Sequence, residues 1–156
     1  MSGAGAPEIT VDGTGLNISI VAGLWHTEIS EGLLAGAHRV LAASGATVTE
    51  IRVPGSFELP VVAKAALDAG ADGVVALGVI IRGGTPHFEF VSDAATSGLT
   101  QVALLTGKPV GFGVLTLDDE QQGIDRAGFA DSKEDKGAEA AEAVIATALA
   151  LRSIRS

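Results

Sequence analysis

The stretch Gly73–Phe90, GVVALGVIIRGGTPHFEF, constrains the fold of this chain more than any other. Every position from Val74 to Ile81 is apolar or glycine and β-branched residues dominate, the pattern of a strand covered on both faces at the centre of a parallel sheet. The run is too short to cross a membrane. Directly after it, Gly83 and Gly84 let the backbone turn and bring N–H groups close to a ligand, while Thr85 adds a hydroxyl. Pro86 suits the first turn of a helix starting near His87, and a helix N-terminus favours negative charge at the same place. The segment therefore outlines an anion cradle beside a titratable imidazole. A glycine-rich strand-to-helix turn also serves simply to reverse a chain, and GGTPH matches neither the Rossmann nor the Walker pattern. A lone histidine there is equally compatible with a cap or a surface residue.

The rest of the chain repeats the strand-to-helix alternation. Strands are expected at Leu16–Gly23, Thr47–Val53, Gly73–Ile81 and Val110–Leu117. The first helix spans about Thr27 to Ser44, with Thr27 as N-cap, an apolar stripe through Ile29, Leu33, Ala37, Val40 and Leu41, and Gly45 as terminator. Further helices are expected near Phe57–Ala69, with Pro60 in its first turn, at Phe88–Thr106, and, as a short piece, around Asp119–Ala127. Ser132 and Asp135 resemble a capping box for a last helix over about Lys133–Ser153. Residues 1–15 read as an arm in which only Ile9 and Val11 alternate as in a strand, either frayed or pairing with another subunit's sheet edge. Residues 16–156 make a single domain of α/β class: a three-layer α/β/α, flavodoxin-like arrangement with a four-stranded parallel sheet and helices on both faces.

Composition excludes several function classes. A net charge of −9 with no Lys/Arg cluster argues against a nucleic-acid surface, so an anionic substrate has to be met by a few placed cations. Without cysteine there are no disulfides, thiolate nucleophiles or Cys-based metal sites. His26, His38 and His87 lack a metal-binding spacing. The N-terminus MSGAGAPEIT has neither a basic nor a long apolar segment, so the expectation is a cytoplasmic protein with no membrane association.

In open parallel sheets ligands gather beyond the carboxyl ends of the strands. There the sequence offers Leu24-Trp25-His26, Gly55-Ser56-Phe57-Glu58 and Arg82 to His87. Trp25, the only tryptophan, is either a stacking platform for a planar heterocycle or a lid over the core. Glu58 is explained by helix capping, or it accepts from a hydroxyl-rich ligand alongside free N–H groups at Ser56 and Phe57. Arg126 and Lys136 read by default as solvated surface charge, and Arg82 as a partner for a carboxylate.

Trp25-His26, Pro54-Gly55-Ser56-Phe57-Glu58-Leu59-Pro60, Ala76 through Phe88, Asp125-Arg126-Ala127-Gly128 and Lys136-Gly137 occur in order, and together they resemble the lumazine synthase family. The likeness covers nearly everything after the arm, and its most specific part is the block ending GGTPH. The resemblance implies a cofactor-independent and metal-independent condensation of 5-amino-6-ribitylaminouracil with 3,4-dihydroxy-2-butanone 4-phosphate, giving 6,7-dimethyl-8-ribityllumazine in riboflavin synthesis. It implies that Trp25 stacks on the pyrimidine, that Ser56, Phe57 and Glu58 hold the ribityl chain, and that backbone at Val79, Ile80 and Ile81 meets the ring edge. Gly84 and Thr85 would bind phosphate with Arg126, and His87 would transfer protons. Arg126, Phe112 and Lys136 would come from an adjacent subunit of a homo-oligomer. Phe112 stands where members of the family differ. The segment Ala127–Lys136 looks longer than the turn associated with icosahedral shells, which points to a pentamer. A functional link to riboflavin synthase is implied as well. Two rivals remain at this level: a non-catalytic flavin- or lumazine-binding module, and a structural shell protein.

Overall fold

The computed structural model describes residues 5, 7 and 11–156. Its order is β1 (Asn17–Gly23), α1 (Thr27–Ser44), β2 (Thr47–Val53), a 3₁₀ turn (Ser56–Glu58), α2 (Leu59–Asp68), β3 (Gly73–Ile81), α3 (His87–Thr106), β4 (Val110–Leu117), α4 (Glu120–Ile124) and α5 (Lys136–Arg155). The four strands form one parallel sheet in the order β2-β1-β3-β4. The chain thus winds outward in both directions from the β1/β3 pair, the switch point at which such sheets open a crevice. This is the three-layer, flavodoxin-like α/β fold expected from the sequence.

Two apolar layers hold the sheet. On one face Ile18, Ile20, Val75 and Leu77 pack with Leu33 and Leu41 of α1 and with Val144 and Ile145 of α5. On the other, Val21, Val74 and Ala76 pack with Leu59, Ala63 and Leu67 of α2 and with Leu99 and Val102 of α3. Adjacent residues of β3 therefore serve opposite cores, which is why its sequence is apolar without alternation. In α1 the predicted stripe is buried at Ile29, Leu33, Ala37 and Leu41, and Val40 packs at its border. Gly45 and Gly107 end α1 and α3 in the left-handed conformation that costs glycine least.

Some local expectations are corrected. Thr27 does not cap α1: the N-cap is His26, itself left-handed at φ 56°, with no side-chain cap bond. The helix expected from Phe57 begins as a 3₁₀ turn and becomes α only at Leu59, since Pro60 is tolerated only in the first helical turn. Ser132 is not the cap of the last helix. Its hydroxyl donates to Ile124 O and accepts from Phe129 N, folding residues 127–135 into a loop closed by an Ala127–Asp135 bridge. Asp135 is the cap, accepting from Ala138 N at 3.1 Å, so α5 starts at Lys136.

Of the N-terminal arm, Ile9 lies outside the described residues. Val11 packs against the α1/α5 core, and Gly13 N donates to Ser44 O at 2.8 Å, so the end of the arm lies on its own domain. No helix among the described residues is long and apolar enough to cross a membrane.

Candidate active site

A crevice of about 640 Å³ opens at the carboxyl end of the sheet, where segments following β1, β2 and β3 meet. Register builds it. β1 pairs with β3 only as far as Ala22 with Leu77, whereas β4 accompanies β3 to Ile81. From Gly78 to Ile81 the β1 side of β3 is consequently without a strand, leaving main-chain groups directed at the crevice available to a ligand. Ser56 occupies the first step beyond that break. A Cβ on Gly78 would overlap Ser56 Oγ, so the missing side chain lets the buried Ser56 seat against β3 and turn the chain into the 3₁₀ segment. At the start of that segment the N–H groups of Ser56 and Phe57 have no intrahelical acceptor.

Trp25 forms one wall. Leu24 N donates to Val53 O and Pro54 O, at 3.0 and 3.3 Å, drawing the loop after β1 onto the end of β2. The indole then lies against Gly55, where a Cβ would stand 3.2 Å from the ring. With 66% of its surface exposed, Trp25 covers no core and presents a free aromatic face, which excludes the lid reading. Glu58 makes no side-chain cap bond; its carboxylate sits beside Gly55 at the crevice. Its place at the N-terminus of α2 keeps the dipole reading open beside the ligand one. Val79 and Ile80 are buried and Ile81 is half-buried in the crevice floor.

The glycine loop forms the opposite rim. Gly83, Thr85 and His87 line the crevice, and Gly84 stands exposed between the first two. His87 opens α3 behind Pro86, and its N–H reaches Thr85 Oγ1 at 3.4 Å. Neither Gly83 nor Gly84 is left-handed, and a Cβ on either would meet nothing within 4 Å. The fold of the single chain therefore does not itself demand these glycines. His26, Phe88, Phe90 and Val91 also line the crevice and were given no ligand role from sequence. His26 is left-handed, a conformation uncommon outside glycine but enriched in histidine, and too infrequent to be read from the residue type.

Among the described residues no lysine or arginine lines this crevice. The predicted cations lie elsewhere. Arg126, Lys136 and Phe112 share a second cavity of about 840 Å³, along β4, α5 and the end of α3, and the two cavities have no lining residue in common. Arg126 Nη1 donates to Gln122 O at 2.8 Å, and its Nε lies 3.9 Å from Glu134. Lys136 Nζ lies 3.4 Å from Glu134 and 3.3 Å from Glu139, with only 16% of its side chain exposed. The default reading of Lys136 as solvated surface charge is thus corrected by its burial among carboxylates. Phe112 projects from the sheet edge at 48% exposure. The structure therefore brings Trp25, Ser56, Phe57, Glu58, Val79, Ile80, Ile81, Thr85 and His87 together and keeps Arg126, Lys136 and Phe112 apart from them.

Comparison with known proteins agrees with this architecture. The family model described as 6,7-dimethyl-8-ribityllumazine synthase matches residues 15–152. Proteins of that name from Clavibacter sepedonicus, Leifsonia xyli subsp. xyli and Kineococcus radiotolerans are 78%, 72% and 63% identical to the chain. Each match covers 99% of this chain, and it covers 99%, 99% and 96% of the respective relative. Spanning both cavities and all four strands, these matches make the chain a member of the 6,7-dimethyl-8-ribityllumazine synthase family.

Proposed function

We propose that the chain condenses 5-amino-6-(D-ribitylamino)uracil with 3,4-dihydroxy-2-butanone 4-phosphate to give 6,7-dimethyl-8-ribityllumazine, phosphate and two waters, as a cytoplasmic enzyme at the penultimate step of riboflavin biosynthesis. The observation that carries this reading is the open flank of β3 between an exposed indole and the glycine loop, in a chain of this family. Riboflavin synthase would consume the product.

Trp25 stacks on the pyrimidine, and β3 backbone from Val79 to Ile81 meets its polar edge. The N–H groups of Ser56 and Phe57 and the carboxylate of Glu58 hold the ribityl hydroxyls. Gly84 and Thr85 donate to the phosphate. The 5-amino group attacks the ketone and water leaves to form the imine. Loss of a proton from carbon then expels phosphate, and the ribityl-bearing nitrogen closes the ring with loss of the second water. His87 stands where protons must be given and taken, and imidazole does both at neutral pH. Holding the two reactants face to face supplies much of the acceleration.

Among the described residues no lysine or arginine lines the crevice of a single chain. Arg126, with Lys136 and Phe112, reaches it from a neighbouring copy in a homo-oligomer, a pentamer by the length of the 127–136 loop. The test combines both substrates with purified protein and follows lumazine absorbance against the slow uncatalysed reaction, alongside light scattering. Catalysed formation by an oligomer is expected. Ligand binding without product would favour a binding module instead, and activity from solitary chains would overturn the shared site.

A further inference from the structure

Arg82 has no part in the proposed chemistry, yet its side chain converges on the loop that carries the anion cradle. Nε donates to Asp118 Oδ1 at 3.0 Å, Nη1 donates to Glu89 Oε1 at 2.5 Å, and the guanidinium lies 4.3 Å from the centre of the Phe88 ring. Its backbone N–H continues the sheet by donating to Leu117 O at 2.8 Å. Asp118 follows β4 and is itself fixed, its N–H donating to Gln122 Oε1 of α4 at 2.7 Å. Phe88 and Glu89 belong to the first turn of α3. One planar, two-armed group thus ties the ends of β3 and β4 to the start of α3.

The loop between those anchors has little else to order it. Residues 83–87 are all exposed, and Gly83 and Gly84 are free of steric contact. Among the described residues the single side-chain hydrogen bond within the segment is the long one from His87 N–H to Thr85 Oγ1. Arg82 and Glu89 flank the segment on either side, so their pairing closes it as a loop of fixed span. Exposed ion pairs stabilise a fold little. Their effect here is expected in geometry, because reacting groups displaced by an ångström lose much of their effective concentration.

We propose that Arg82 is a positioning residue: by clasping Glu89 and Asp118 across the glycine pair, it holds the Gly84–Thr85 cradle and the His87 imidazole at one separation suited to the phosphorylated substrate. The proposal rests on the assignment of phosphate to this loop under the proposed function. Both charged contacts of Arg82 are to carboxylates, which makes it a strut and not a free cation aimed at the ligand.

Steady-state kinetics of the assembled enzyme, with each substrate varied in turn, tests it. Arg82→Met should raise KM for the phosphorylated substrate about fivefold to tenfold while leaving KM for the pyrimidine within about twofold. Arg82→Lys, which keeps the charge but not the fork, should recover only part of the loss. The double variant Glu89→Ala/Asp118→Ala should reproduce Arg82→Met. A merely structural role would move both KM values together, and that result, or no change at all, overturns the proposal. So does a loss in Arg82→Met that the double variant lacks, since Arg82 would then bind phosphate itself. Should Arg82→Met not assemble, Arg82→Lys and the double variant give the same split. If the wild-type protein makes no lumazine, the functional reading falls separately. The clasp is then read by amide hydrogen exchange over residues 83–89, expected to quicken about tenfold in Arg82→Met and overturned if unchanged.

Discussion

The two cavities of this chain are built on opposite principles. The crevice at the ends of β1 and β3 is made from main-chain groups, an exposed indole and neutral or acidic side chains, with its shape set by where strand pairing stops. The groove along β4 carries arginine and lysine, but each is already engaged by Glu134, Glu139 or a carbonyl. One region has shape and no positive charge; the other has positive charge held in place by acids. The contrast teaches that shape recognition and charge recognition are separated within a chain of net charge −9; under the proposed function, joining them takes a second copy. Cations kept among carboxylates are positioned without leaving an uncompensated buried charge in the lone subunit.

The largest effect should come from removing the charged half. Arg126→Ala is expected to lower kcat/KM for the phosphorylated substrate by roughly a hundredfold, the scale of a lost charge-assisted contact, with a much smaller change in KM for the pyrimidine. Equal changes in both would break the division between the regions. Co-expression sharpens it further. Arg126→Ala chains assembled with Trp25→Ala/His87→Ala chains should regain activity at roughly a quarter of the sites, those where two intact halves meet by chance. No recovery in mixed oligomers would mean that both halves serve within one chain. His87→Ala alone should slow turnover on the order of tenfold, less than general acid–base catalysis often contributes, because the condensation proceeds unaided once the reactants are aligned. Full activity across pH would remove His87 from proton transfer.

The smallest expected effect concerns the clasp. Arg82 holds the Glu89 carboxyl below the usual carboxylate range, chiefly through their hydrogen bond. With the folded value depressed, its contribution to stability is present above the unfolded value of about 4.3 and lost as pH falls through the lower folded value. Melting temperatures of wild type and Arg82→Met should therefore differ slightly at neutral pH and converge in strong acid. A gap that widens on acidification would contradict the pairing.

Much of this was readable in the sequence for identifiable reasons. β3 and β4 are apolar runs bounded by glycine or proline, α1 carries a strong stripe, and alternation with crossovers leaves few topologies. The crevice residues could be grouped because strand ends converge whatever the side-chain detail. Illegible were features set by tertiary contact: the left-handed His26, and the diversion of Ser132 from capping to a carbonyl eight residues back. Lys136 looked like surface charge because its two acids, at positions 134 and 139, bury it only once α5 has started in the right place. The reason for Gly83 and Gly84 was half legible. Within the chain neither a left-handed turn nor a close neighbour requires them.

Gly78 has a further consequence. The depth of the crevice beneath Ser56 depends on a hydrogen atom standing where any other residue would put a methyl group, in the interior of the sheet. Variation there would retune ligand selectivity from below, and surveys of resistance to competitive inhibitors that sequence only ligand-touching positions would overlook it.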